Sequence, residues 1–86
     1  MLFYDIDKKF EEIGFVKVCE TKSYVQYETQ ENWGTRCLDL LYKEIGEHLI
    51  QCYQKGNNEN MFSRMSGINA KEAALAMKKM KRMGWN

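Results

Sequence analysis

The 86 residues carry 13 Lys and Arg against 12 Asp and Glu, a net charge of +1, and are 44% hydrophobic and 29% charged. That length supports one domain spanning residues 1–86, because two separate cores would each be too small to offset the entropy of ordering the chain. The composition excludes a disordered or collagen-like chain, and the lack of a long apolar run, signal peptide or lipidation motif leads us to expect a cytoplasmic protein with no membrane partner.

Residues Asp5 to Ile13 place Ile6, Phe10 and Ile13 at spacings of four and three, one face of a short amphipathic helix that Leu2 or Phe3 extends backwards. Asp5 suits the N-cap and Asp7 the positive end of the helix dipole. Gly14 then supplies a left-handed stop over which Phe15 can fold back onto Phe10.

Four segments rich in β-branched and aromatic residues follow: 15–20, 24–29, 36–43 and 48–54. Residues 21–23, the Asn32 and Gly34 region and Gly46 mark tight connections, so an antiparallel four-stranded meander is predicted. The runs "CLDLLY" and "HLIQCY" put apolar groups on both faces, which predicts that the second face of the sheet is also partly covered, for instance by another subunit.

The stretch "KGNNENMFSRMSG" is loop-like, yet it carries Met61, Phe62 and Met65. These side chains suit either a short turn that caps the core edge or an adaptable partner surface. After it, Asn69 and Glu72 have the spacing of a capping box, with Ile68 at the staple position. Ala73, Ala76, Met77, Met80 and Met83 then fall within an arc of about 120 degrees, the width of a core-facing stripe. Gly84 is the stop and Trp85 is placed to pack back on Met80, repeating the ending of the first helix. The expected fold is α+β: an N-terminal helix, a four-stranded antiparallel meander and a C-terminal helix packed on one sheet face.

The order of "FEEIGF", "SYVQYE" and a closing "INAKEAALAMKKMKRMGW" resembles small uncharacterised proteins encoded by phages and prophages of Gram-positive bacteria. Those proteins begin with a Phe-x-x-Leu-Gly-Phe/Tyr segment and finish with an Ile-Thr-x-Glu-Glu-Leu helix closing in Leu-Gly-Trp. This chain departs in carrying Lys81 and Arg82 where acidic residues are common, and in a longer 56–67 connection. The resemblance implies an accessory phage or prophage protein in a bacterial cytoplasm and supplies no catalytic residues.

Cys19, Cys37 and Cys52 are odd in number and widely spaced, with no Cys-x-x-Cys pair, so buried reduced thiols are expected rather than disulfides. Joining them to the lone His48 makes a poor zinc set, because structural zinc ligands usually come in close pairs. Glu11 and Glu12 are adjacent and point to different sides of a helix, and no phosphate loop or zinc-protease pattern is present. With no constellation assembled, neither an enzyme nor a cofactor or metal is expected.

Charge is divided unevenly, +4 over residues 68–86 and −3 over the rest. Lys71, Leu75, Lys78 and Arg82 share an arc of about 60 degrees on the helix, a ridge able to follow phosphates. Against nucleic acid stand the near-neutral total and the dipole benefit that any cation gains near a helix C-terminus. Trp33, Met61, Phe62, Met65 and Leu75 are therefore the candidate partner surface, with a second copy of the chain or a phage or host protein as the expected partner. A twofold dimer would cover a sheet face or the Leu75 ridge. Nucleic acid, contacted through Lys71, Lys78, Lys79, Lys81 and Arg82, is the alternative.

Overall fold

The computed structural model describes residues 5–32, 34–56 and 64–85. Helix α1 (Ile6–Glu12) is followed by strands β1 (Val16–Glu20), β2 (Tyr24–Glu31), β3 (Gly34–Leu41) and β4 (Leu49–Gly56), a two-residue strand β5 (Arg64–Met65) and helix α2 (Ala70–Arg82). The strands form one antiparallel sheet in the order β1-β2-β3-β4-β5. The fold is thus the expected α+β arrangement, with β5 added beside the four-stranded meander.

Local signals set the helix ends. Asp5 caps α1 by accepting the Lys8 N–H, and Asn69 and Glu72 form a complete capping box at the start of α2. Both helices stop in the same way. Phe15 N–H donates to Phe10 O and Gly14 N–H to Glu11 O, while Trp85 N–H donates to Met80 O and Gly84 N–H to Lys81 O. Each is a Schellman pair, and Gly14 and Gly84 take the positive φ that it requires, +96° and +81°.

Pleating sorts the sheet into two faces. Val25, Tyr27, Leu38, Leu40 and Cys52 point to one side, where they meet Ile6 and Phe10 of α1, Leu75, Ala76 and Met80 of α2, and the closing aromatics Phe15 and Trp85. Phe10 stacks on Tyr27 with ring centroids 3.9 Å apart. Both helices therefore lie on this inner face.

The phase of α2 differs from the predicted stripe. Its buried residues are Glu72, Leu75, Ala76, Lys79 and Met80, whereas Met77 is 60% exposed. Two ion-pair sites account for the rotation. Arg36, on the inner face of β3, grips Glu72 through both guanidinium nitrogens at 2.6 and 2.7 Å, and also donates to Ser66 Oγ and Gly67 O. Lys79 reaches Glu20 at 2.8 Å and Asp7 at 3.2 Å. With Glu72 and Lys79 drawn inward, the residue between them on that face, Leu75, goes into the core. Leu75 is only 7% exposed, so its place on a partner ridge is corrected.

The Lys79 site is one network. A bulge between Lys17 and Cys19 puts Lys17 and Glu20 on the same side of β1 although they are three residues apart. Lys17 bonds Asp7 at 2.8 Å and Glu20 at 3.1 Å, and the Tyr27 hydroxyl donates to Asp7 at 2.6 Å. Burial alone would raise the Asp7 pKa, but hydrogen bonds from Lys17, Tyr27 and Lys79 outweigh it and hold the carboxyl at about 2, below its usual 3.8.

Asp7 therefore binds its proton less readily folded than unfolded. Its contribution is fully present above about pH 4 and is lost as the pH falls towards 2, an effect on the order of 2 kcal/mol. Chemical denaturation at pH 6 and at successive steps down to pH 2 should show this loss in the wild type. In Asp7→Asn the stability should be lower at pH 6 and fall less over that window. A parallel pH profile for the two proteins would remove Asp7 from the acid response.

Candidate interaction surface on the open sheet face

The outer face of the sheet presents Val16 and Cys19 of β1, Tyr24, Gln26 and Glu28 of β2, Cys37, Asp39 and Leu41 of β3, Leu49, Gln51 and Tyr53 of β4, and Met65 of β5. Among the described residues, no helix lies on it. Its centre is nevertheless closed, with Cys37 wholly buried and Asp39 5% exposed. The register explains this, because Cys37 sits between Glu28 and Tyr53, and Asp39 between Gln26 and Gln51, all longer side chains.

A polar network occupies that centre. The Tyr53 hydroxyl donates to Asp39 Oδ2 at 2.9 Å and accepts from Gln26 Nε2 at 3.0 Å. Lys55 pairs with Glu28 at 3.2 Å, and the Cys37 thiol donates to the same carboxylate oxygen at 3.8 Å. Burial, and then the negative charge of Asp39, pushes the Tyr24 hydroxyl up to about 12. Burial also raises the Cys37 and Tyr53 pKa values, for Tyr53 with Asp39 adding to it. These groups stay protonated at neutral pH, where they can serve as hydrogen-bond donors. Among the described residues, Asp39 Oδ1 is buried with no hydrogen-bond partner.

Apolar side chains surround this centre. Val16 is 57% exposed, Leu49 41% and Met65 78%. A broad face with a polar middle and exposed apolar margins can be covered by another macromolecule.

Of the residues singled out from the sequence, Met65 lies on this face. Trp33, Met61 and Phe62 lie outside the described residues. Lys71, Lys78, Lys81 and Arg82 are exposed on α2, but Lys79 is 8% exposed and bound to two carboxylates, so its place among the phosphate contacts is corrected. The cysteines are free thiols, Cys37 and Cys52 buried on opposite faces and Cys19 half-buried. His48 is half-buried, with Nδ1 accepting the Lys43 N–H at 3.0 Å.

Sequence reading missed Arg36, Asp39 and the Gln26–Tyr53 link. The one available signal was a charged residue in the middle of "CLDLLY", where strand alternation puts Asp39 opposite the core-facing leucines.

Fold and surface together define a small α+β domain with one sheet face packed by both helices and, among the described residues, no helix on the other. Compared with protein-family models, curated proteins and solved structures, the chain gives no match in any of the three. Among the described residues, no helix is long and apolar enough to cross a membrane.

Tyr53→Phe should lower stability by about 1 to 3 kcal/mol, because it takes a donor from a buried carboxylate while preserving the ring. Urea unfolding should show an earlier midpoint at unchanged slope. An unshifted midpoint would mean that Asp39 finds another donor at no cost.

Proposed function

We propose that this chain is a non-enzymatic accessory protein of a phage or prophage that works through protein contacts, with the open sheet face as its contact surface. The observation that carries the reading is a five-stranded sheet with both helices on one side and exposed Val16, Leu49 and Met65 around a closed polar centre on the other. Covering those three side chains would remove apolar area from water, at about 25 cal/mol per Å². The partner is another phage protein or a host protein in a bacterial cytoplasm. Its matching surface is apolar where it meets the exposed margins at Val16, Leu49 and Met65.

The same surface supplies the test. Proteins captured from infected and uninfected host extracts on immobilised wild-type chain are purified, and their affinity is measured directly by calorimetry. A Val16→Lys, Leu49→Lys double variant that keeps its melting transition should bind at least about tenfold more weakly. Lys81→Glu, on the far side of the domain, should bind as the wild type does. Equal affinity for the sheet variant, or no specific capture, would overturn the reading.

A second reading, nucleic-acid binding, keeps support from the exposed Lys71, Lys78, Lys81 and Arg82 along α2. Four phosphate contacts on duplex DNA would give a log–log salt slope no steeper than about −4. Titration of labelled duplex and single strands at low and moderate salt tests it, with Lys71→Glu, Lys81→Glu expected to reduce both affinity and slope. No binding at low salt, where phosphate contacts are strongest, would eliminate it.

A further inference from the structure

Away from the open face, a groove of about 690 Å³ runs between α2 and the β3–β4 connection. Ala74, Met77, Met80 and Trp85 give it an apolar floor, Gly46 and His48 form one wall, and Lys78 and Lys81 stand beside it. The aromatic side of the groove is firmly built. His48 packs on Tyr42 and Trp85 with ring centroids 4.6 and 5.4 Å away, and the Trp85 Nε1–H is anchored on Lys22 O at 3.0 Å. The groove therefore exists before anything enters it.

Next to it projects a feature of the opposite kind. The β3–β4 connection ends in the turn Glu44-Ile45-Gly46-Glu47, closed by the Glu47 N–H donating to Glu44 O at 2.8 Å. Ile45 at its tip is 77% exposed, next to Met65 the most exposed of the large apolar side chains described. Among the described residues, Glu44 and Glu47 take part in no ion pair or side-chain hydrogen bond, although both flank that isoleucine. An apolar knob between two acids is the complement of an apolar floor beside two lysines.

We infer that the occupant of the groove is the Glu44–Glu47 turn of a second copy of this chain, in a reciprocal twofold contact. Ile45 of each copy seats on Met77 and Ala74 of the other, and its flanking Glu44 and Glu47 meet Lys78 and Lys81. The adjacency of knob and groove supports the twofold arrangement, since Gly46 belongs to both and a single axis beside it brings each knob to the other groove. The rotation of α2 that buries Leu75 is also what leaves Met77 outward as floor for the visitor. Such a dimer would leave both open sheet faces uncovered, so it stands independently of the reading proposed for that face.

Charge exchange tests the contact without needing a known ligand. Sedimentation equilibrium from roughly micromolar to millimolar concentration should show the wild type passing from monomer to dimer. Glu44→Lys, Glu47→Lys makes knob and groove both basic, and Lys78→Glu, Lys81→Glu makes both acidic. Each should remain a monomer alone, and an equimolar mixture should recover the dimer because both contacts are then complementary. Circular dichroism melts establish that the variants are folded, and Ile45→Ser, at an exposed tip, provides a substitution with little effect on the fold that should also abolish the dimer. Val16→Lys, Leu49→Lys should dimerise as the wild type does. A wild-type monomer throughout, a dimer indifferent to these changes, or a mixture that stays monomeric would overturn the inference.

Discussion

The bidentate pair between Arg36 and Glu72 is the constraint on which the arrangement of this domain turns. It joins the central strand to the first turn of α2 across 36 residues of sequence, with side chains only 14% and 7% exposed. Glu72 has a second task in the capping box, where its carboxylate accepts the Asn69 N–H. Hydrogen bonds from Arg36 hold its pKa below the usual carboxylate range against the opposing effect of burial. One side chain thus satisfies the helix end and sets which way the helix faces. Removing either partner of such a buried pair typically costs about 3 to 5 kcal/mol, because the remaining charge is left without compensation.

Once Glu72 faces inward, the rest of α2 has little freedom. Two turns further on Lys79 reaches Asp7 and Glu20, so the helix is held at two points along one line. Leu75 and Ala76 fill the space between, and Met77 and the lysines at 71, 78 and 81 are left outside. The exposed surfaces are therefore by-products of the buried charges. The groove beside Trp85 has Met77 in its floor because of that rotation, and among the described residues no helix lies on the outer sheet face because both are committed to the other side.

How far the sequence revealed this can be judged from particular residues. The helix stops at Gly14 and Gly84, the capping box at Asn69 and Glu72 and the antiparallel meander were all legible, since each depends on residues close together in the chain. The runs "CLDLLY" and "HLIQCY" led to the expectation of a second face partly covered, whereas among the described residues no helix lies there and the centre at Asp39 is polar. Met65 was found among the residues of that face. Leu75 and Lys79 were misplaced because a hydrophobic stripe gives methionine and alanine precedence over charged residues, and nothing local says that a lysine will find two carboxylates.

The sequence by itself determined where each helix begins and ends, the order of the first four strands and their division into two faces. These follow from short-range geometry: a cap needs a side chain three residues away, a stop needs a glycine, and pleating alternates every residue. Only the tertiary structure decided the rotation of α2, and with it which surfaces remain open. That choice depends on Arg36 meeting Glu72 and on Lys79 meeting Asp7 and Glu20, contacts between elements remote in the chain. Their energy appears only when packing has excluded water from the charges, and hydrophobic periodicity carries no record of it.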